Sequence, residues 1–214
     1  MPGALGNGDD RVRNLYWGAA FGVRTFFAKC KDWKQIGNTV HSKGSVVETA
    51  IFHHLDSETY VVADAYRGTE IKQALADFFS AAAGTDAPIQ FDSPNDPTHV
   101  NKKAELVVYV GHNGLMDFSM ERTFTGKRDT KRQVIVLACA SKQYFAAPLK
   151  PTGAAPLLWT TNLMAPEAYT LKAALDGWIA GETNEQIRRR AVAAYAQYQR
   201  TSQSAALKLF ATGW

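Results

Sequence analysis

His112 and Cys139 each close an apolar run. Residues 105–111 (ELVVYVG) lead into His112, and residues 133–138 (QVIVLA) lead into Cys139. A thiol attacks carbonyl carbon as its thiolate, and with an unperturbed pKa of about 8.5 only a few per cent is ionised near neutrality. An imidazole beside it can take the thiol proton and later deliver it to a leaving group. In an α/β sheet the carboxyl ends of neighbouring parallel strands open onto one crevice, where ligands bind. The two runs therefore predict a thiolate nucleophile, Cys139, and a general acid/base, His112, side by side. Gly111 and Gly114 let the backbone turn sharply after the first strand. The N–H groups of Gly114 and Cys139 are the expected donors to a developing oxyanion. Taken singly, each residue has a plainer role: a small core residue at a strand end for Cys139, a turn histidine for His112.

The surrounding pattern supplies elements to position the pair. Apolar residues at Tyr16, Ala19, Ala20, Val23, Phe26 and Phe27 predict a helix over 14–33. Gly18 and Gly22, one turn apart, suit close packing of another element. Residues 46–54 and 59–65 read as a β-hairpin turned at Asp56-Ser57. Adjacent His53 and His54 would point to opposite faces of that strand, so they do not form a joint metal site. Thr69 is the expected N-cap of a helix carrying Ile71, Ala74, Leu75, Phe78 and Phe79, stopped at Gly84. A long loop is expected over 85–103, and a short helix near 115–124. Beyond Cys139 come a short helix over 141–147, a buried strand at 156–161 and a helix from Pro166 to Ala180. A helix opened by the capping box Thr183-x-x-Gln186 follows, with a last one carrying Leu207 and Phe210.

Strands alternating with helices, with two strands apolar throughout, predict a three-layer α/β/α sandwich around a mostly parallel sheet. Residues 1–13 are Gly-rich and polar and are expected to be a flexible segment; 14–214 form one domain. Such folds usually open on a strand, whereas this chain opens on a loop and a helix.

These residues resemble the caspase–hemoglobinase (caspase-like) superfamily of cysteine peptidases, which includes caspases, legumains, gingipains and clostripain-like enzymes. Its members carry an apolar strand ending in His-Gly and a second ending in Ala-Cys. The counterparts here are VVYVG-His112-Asn113-Gly114 and VIVLA-Cys139-Ala140-Ser141, the latter most similar to the legumain-type Ala-Cys-x-Ser. The likeness spans residues 14–180 in element order and two short motifs in sequence. Asn113 is inserted between the histidine and the glycine, Lys142 stands where a glycine often follows Ser141, and no acidic residue directly precedes Ala138-Cys139. The chain also resembles a bacterial family of unassigned activity sharing NLYWGA near its start and HNGLMDF in its middle.

The resemblance implies a caspase-like cysteine hydrolase, a peptidase first of all, acting on a peptide or protein substrate with no metal and no organic cofactor. Asn113, Asp117, Arg67, Ser141 and Lys142, with Glu121, are the candidate substrate-binding residues. Two other readings stay open: a catalytically inactive caspase-like interaction or scaffold domain, and an amidase or thioesterase using the same pair.

Composition sets the bounds. The chain has 214 residues, 46% hydrophobic and 21% charged, enough for a sizeable core. A net charge of +4, spread along the chain, argues against nucleic-acid binding. Two cysteines, Cys30 and Cys139, are too few for a disulfide framework and make no Cys-x-x-Cys pattern. No apolar run reaches the length of a membrane span and no leader pattern is seen, so a soluble, cytoplasmic protein is expected.

Overall fold

The computed structural model describes residues 3–93, 96–126 and 132–214. The fold is mixed α/β. In chain order it contains α1 (Gly3–Gly6), α2 (Val23–Phe27), β1 (Trp33–Val40), β2 (Val46–His54), β3 (Tyr60–Tyr66) and α3 (Ile71–Ala82). Then come β4 (Ile89–Ser93), β5 (Asp96–Lys102), β6 (Leu106–Val110), β7 (Gln133–Leu137), α4 (Ser141–Leu149) and β8 (Ala155–Thr160). The chain finishes with α5 (Ala168–Ile179), α6 (Asn184–Tyr198), α7 (Gln203–Leu209) and β9 (Phe210–Ala211).

Three sheets form. β1-β2-β3 is an antiparallel meander and β4-β5 a separate hairpin. The site-bearing sheet has the order β6-β7-β8-β9: β6, β7 and β8 run parallel, and β9 is antiparallel to β8. β7 is flanked by a parallel partner on each side and its faces are both covered. Val134, Val136 and Ala138 pack with Leu75, Phe78 and Phe79 of α3 and Phe145 of α4. Ile135 and Leu137 pack with Leu171 and Leu175 of α5 and Ile187 and Ala191 of α6. A strand buried on both faces needs apolar residues at every position, which is why this stretch shows no polar alternation. All five of those β7-run residues are completely buried.

Several sequence expectations hold. The β2–β3 hairpin, β6, β7, α4, β8, α5 and α6 fall close to where the pattern puts them, and the Thr183/Gln186 capping box is formed in both directions. Others are corrected. α3 is preceded by a 3-10 turn, Gly68–Glu70, so Thr69 lies inside that turn and does not cap the helix. Residues 89–93 and 96–102, expected as loop, pair as β4 and β5; positions 94–95, also in the expected loop, lie outside the described residues. Only Gly114–Met116 is helical in the expected 115–124 stretch. Phe210 leaves α7 and pairs with Thr160, making the sheet mixed at its edge.

The expected helix over 14–33 forms only as α2, and residues 14–22 are turns. Asn14 is the cause. Its carbonyl accepts the N–H groups of Trp17, Gly18 and Ala19, and its side chain donates to Asn7 O (3.0 Å) and accepts from the Tyr16 N–H (2.9 Å). An asparagine that bonds its own neighbourhood offers the backbone an alternative to the helical ladder. A Cβ at Gly18 would meet the carbonyl oxygens of Arg11 and Val12, so the loop folds against itself there. Nor do residues 5–13 trail free: the Leu15 N–H donates to Leu5 O (3.0 Å), Asp9 pairs with Arg67 (3.3 Å), and Gly8 lies against the Gly68 backbone.

Glu48 of β2 anchors this N-terminal layer. Its carboxylate is almost wholly buried, accepts from Trp17 Nε1 (2.5 Å) and pairs with Arg24 (3.0 Å), with Arg11 at 3.9 Å. Burial opposes ionisation, but the Trp17, Asn38 and Arg24 donors outweigh it and hold the carboxyl below the usual glutamate range. A depressed folded-state value means that this stabilisation is full above the unfolded value of about 4.3 and is lost as pH falls through the folded one. Glu48→Gln is therefore expected to cost about 2 kcal/mol near pH 7, below the usual cost of a broken buried pair because Arg24 still reaches water. Urea unfolding of the two proteins from pH 7 down to pH 3 checks this, and the difference between them should shrink toward the acid end.

Candidate active site

Cys139 sits in a tight strand-to-helix turn. β7 ends at Leu137, Ala140 takes a left-handed conformation (φ 47°, ψ 36°), and α4 starts at Ser141. Left-handed backbone costs an alanine about 1 kcal/mol, so the neighbours must hold it. They do. The Ala140 N–H donates to Asn162 O (2.8 Å) beyond the end of β8. Beneath, the Ser141 hydroxyl donates to Val136 O (2.8 Å) and accepts the Thr160 N–H (2.9 Å), while the Thr160 hydroxyl donates to Ala138 O. Both side chains are fully buried. The turn that presents Cys139 is thereby bonded to the carboxyl ends of both β7 and β8.

The neighbouring strand delivers His112. β6 continues in register through the Gly111 N–H, which donates to Leu137 O (3.1 Å). Next comes an inverse γ-turn centred on Asn113 (φ −81°, ψ 87°), closed by the Gly114 N–H on His112 O (3.1 Å). The Tyr109 hydroxyl donates to the same His112 carbonyl (2.7 Å). Asn113 is wholly buried and points back under the loop. Its side-chain oxygen accepts the Leu115 N–H (3.1 Å), and its Nδ2 donates to the Cys139 carbonyl at 2.6 Å. One amide thus ties the histidine loop to the cysteine turn. His112 and Asp117 stand above it, exposed, with His112 Nε2 2.6 Å from Asp117 Oδ2.

The thiol and the imidazole are not hydrogen-bonded to each other. Cys139 Sγ instead lies against the backbone of Met164, accepting its N–H at 3.5 Å and facing its carbonyl at 3.6 Å. The N-terminal turns bring Tyr16 to the same place: burial, then the nearby charge of an ionised Cys139, pushes its phenol above the usual value. Burial holds Tyr109 higher still, with Tyr16 adding to it. Cys139 is therefore flanked by the histidine loop, the Met164 segment and Tyr16, while its side chain remains half-buried. Two grooves lie elsewhere on the described surface, and neither is lined by Cys139 or His112. One of about 320 Å³ runs between Leu115, Phe118, Met120 and the α4 residues Tyr144 and Pro148. The other, about 290 Å³, is lined by Asn162, Leu163, Tyr195, Lys208 and Leu209.

The remaining sequence candidates separate sharply. Asp117 belongs to the centre, as the partner of His112. Asn113 and Ser141 are completely buried and hold the scaffold, so as placed neither can meet a substrate. Gly114 spends its N–H on the γ-turn centred on Asn113 and is not an available oxyanion donor. No acceptor for the N–H of Asn113 or of Cys139 is found among the described residues. Arg67 is tied to Gly44 O (2.9 Å) and Asp9, on the β1–β2 turn. Lys142 lies over the Trp159 ring at 5.3 Å. Glu121 is exposed in the crossover between β6 and β7. His53 stacks on Tyr60 (4.6 Å) and His54 bonds Ser57 (3.0 Å), plain packing roles for both. Among the described residues there is no metal-binding cluster of His, Cys, Asp or Glu and no helix long and apolar enough to cross a membrane.

No protein-family model, curated protein or solved structure matches this chain.

The buried Asn113 amide generates a direct expectation. Asn113→Ala leaves the half-buried Cys139 carbonyl and Leu115 N–H without their partner, at about 1–3 kcal/mol for each orphaned group. Chemical denaturation should show a loss of about 3 kcal/mol, whereas Lys142→Ala, which removes only a partly exposed ring contact, should lose about 0.5–1 kcal/mol.

Proposed function

We propose that the protein is a caspase-like cysteine hydrolase acting on peptide bonds, within a three-layer α/β/α arrangement in which α3 and α4 form one outer layer and α5 and α6 the other. The observation that carries the reading is the pairing of two adjacent parallel strand ends: Cys139 on the strained turn after β7, and His112 on the loop after β6 tied to that turn through Asn113. Left-handed non-glycine backbone at a strand-to-helix turn is the kind of stored strain found where a nucleophile is presented.

The chemistry runs as follows. His112 accepts the Cys139 proton, and the thiolate attacks the carbonyl carbon of the scissile amide, forming a C–S bond as the carbonyl π pair moves to oxygen. The N–H group of Cys139 receives that oxyanion; Gly114, whose N–H closes the γ-turn, does not. Collapse restores the carbonyl and breaks the C–N bond, and the proton on His112 leaves with the amine. Water then gives a proton to His112 and attacks the thioester, and the departing thiolate is reprotonated. Reaction requires the sulfur to leave Met164 and meet the imidazole.

One observation favours a second reading, a non-catalytic scaffold domain: the thiol rests on Met164 with no bond to His112. Iodoacetamide labelling of Cys139 against pH, in wild type and His112→Ala and read by intact mass, separates the two. Catalytic use of the pair requires rapid labelling below pH 7 that slows in the variant. Labelling that rises only in the range of an ordinary thiol, alike in both proteins, would support the scaffold.

A further inference from the structure

We propose that Asp117 is the positioning residue of this centre, holding the Nε2–H of His112 so that Nδ1 is the atom that takes and returns the proton. The assignment rests on the hydrolase reading above and deepens it. The 2.6 Å contact between Nε2 and Oδ2 is the only hydrogen bond made by the His112 ring among the described residues. A carboxylate only accepts, so Nε2 must carry the hydrogen and the lone pair of the neutral ring lies on Nδ1.

Both ends of the contact are fixed from the backbone. The His112 carbonyl is held by the Tyr109 hydroxyl and the Gly114 N–H. Asp117 closes the 3-10 turn Gly114–Met116, its N–H bonded to Gly114 O (3.0 Å). The turn that Asn113 starts therefore ends five residues after His112 with a carboxylate at the Nε2 edge of the ring. An imidazole free to rotate could offer either nitrogen to the thiol, whereas one anchored at Nε2 offers only Nδ1. As the ring becomes imidazolium during attack, Asp117 also faces the new charge. In the free protein both side chains are exposed, where such a pair adds little stability. Its value lies in orientation, and it grows when a substrate excludes water from the ring.

The test compares wild type with Asp117→Ala, Asp117→Glu and His112→Ala, by 15N-resolved NMR of the imidazole at pH 8 and by iodoacetamide labelling of Cys139 at pH 6.5. The His112 signals are assigned by their loss in His112→Ala. Wild type should hold the proton on Nε2, Asp117→Ala should drift to the mixed population of a free imidazole, and Asp117→Glu should restore the wild-type state. Labelling should slow about tenfold in Asp117→Ala, the low end for loss of a hydrogen bond to a charged group, and recover in Asp117→Glu. Thermal melting should be the same in wild type and both Asp117 variants, separating orientation from folding. An unchanged tautomer in Asp117→Ala overturns the assignment while leaving the Cys139–His112 pair intact. If His112→Ala labels as fast as wild type, the hydrolase reading itself fails, and this inference fails with it.

Discussion

The geometry of this centre depends on one hydrogen bond, from the Asn113 side chain to the carbonyl of Cys139 at 2.6 Å. Parallel pairing fixes β6 and β7 only as far as Val110 and Leu137, with one further backbone bond from Gly111. Past that point each chain turns away in its own manner, one into a γ-turn and one into a left-handed alanine. The buried amide spans the gap. It donates to the cysteine turn and accepts from Leu115 on the histidine loop, so a shift of either loop breaks a bond of a wholly buried amide.

Around that bond the structure divides into a rigid floor and a free upper face. The floor is the doubly covered strand β7 together with the Ser141–Thr160 interlock, in which every polar atom of two buried hydroxyl side chains is bonded to a strand end or to its mate. Such packing has few alternative arrangements. Above it, His112, Asp117 and Met116 are exposed, and Cys139 touches the Met164 segment only through long sulfur contacts. Cys139, assigned to bond making, has room to move, whereas Asn113, Ser141 and Thr160, which hold the two turns, do not. That division is what a centre needs if the thiol must travel between a resting contact and a reacting one.

Much of this was legible in the sequence, for reasons that differ by element. β7 and β8 could be read because burial on both faces forces an unbroken apolar run, and α6 because the Thr183/Gln186 box is a local device. β1 could not, since WKQIGNTV is an edge strand that is largely exposed and carries no periodic signal. The turns of residues 14–22 masqueraded as a helix because their apolar spacing fits one, while the deciding contacts come from the Asn14 side chain. Within the site, Cys139 and His112 were visible as strand-terminal residues of reactive type. The roles of Asn113 and Ser141 were not, because both types commonly face substrate and nothing in a linear pattern shows that a side chain points inward. For Asp117 a signal was present: an acid five residues past a histidine across a short turn can fold back onto the ring, and Gly114 marks that turn.

The central claim is that Cys139 forms and releases an acyl-enzyme with peptide substrates. It is tested most directly by incubating the protein with an unfolded protein mixture in H2(18)O and sequencing the products by mass spectrometry. The account requires new peptide C-termini carrying 18O, absent with Cys139→Ala and strongly reduced with His112→Ala. Wild-type protein that produces no labelled termini, or labelled termini that persist with Cys139→Ala, would contradict it.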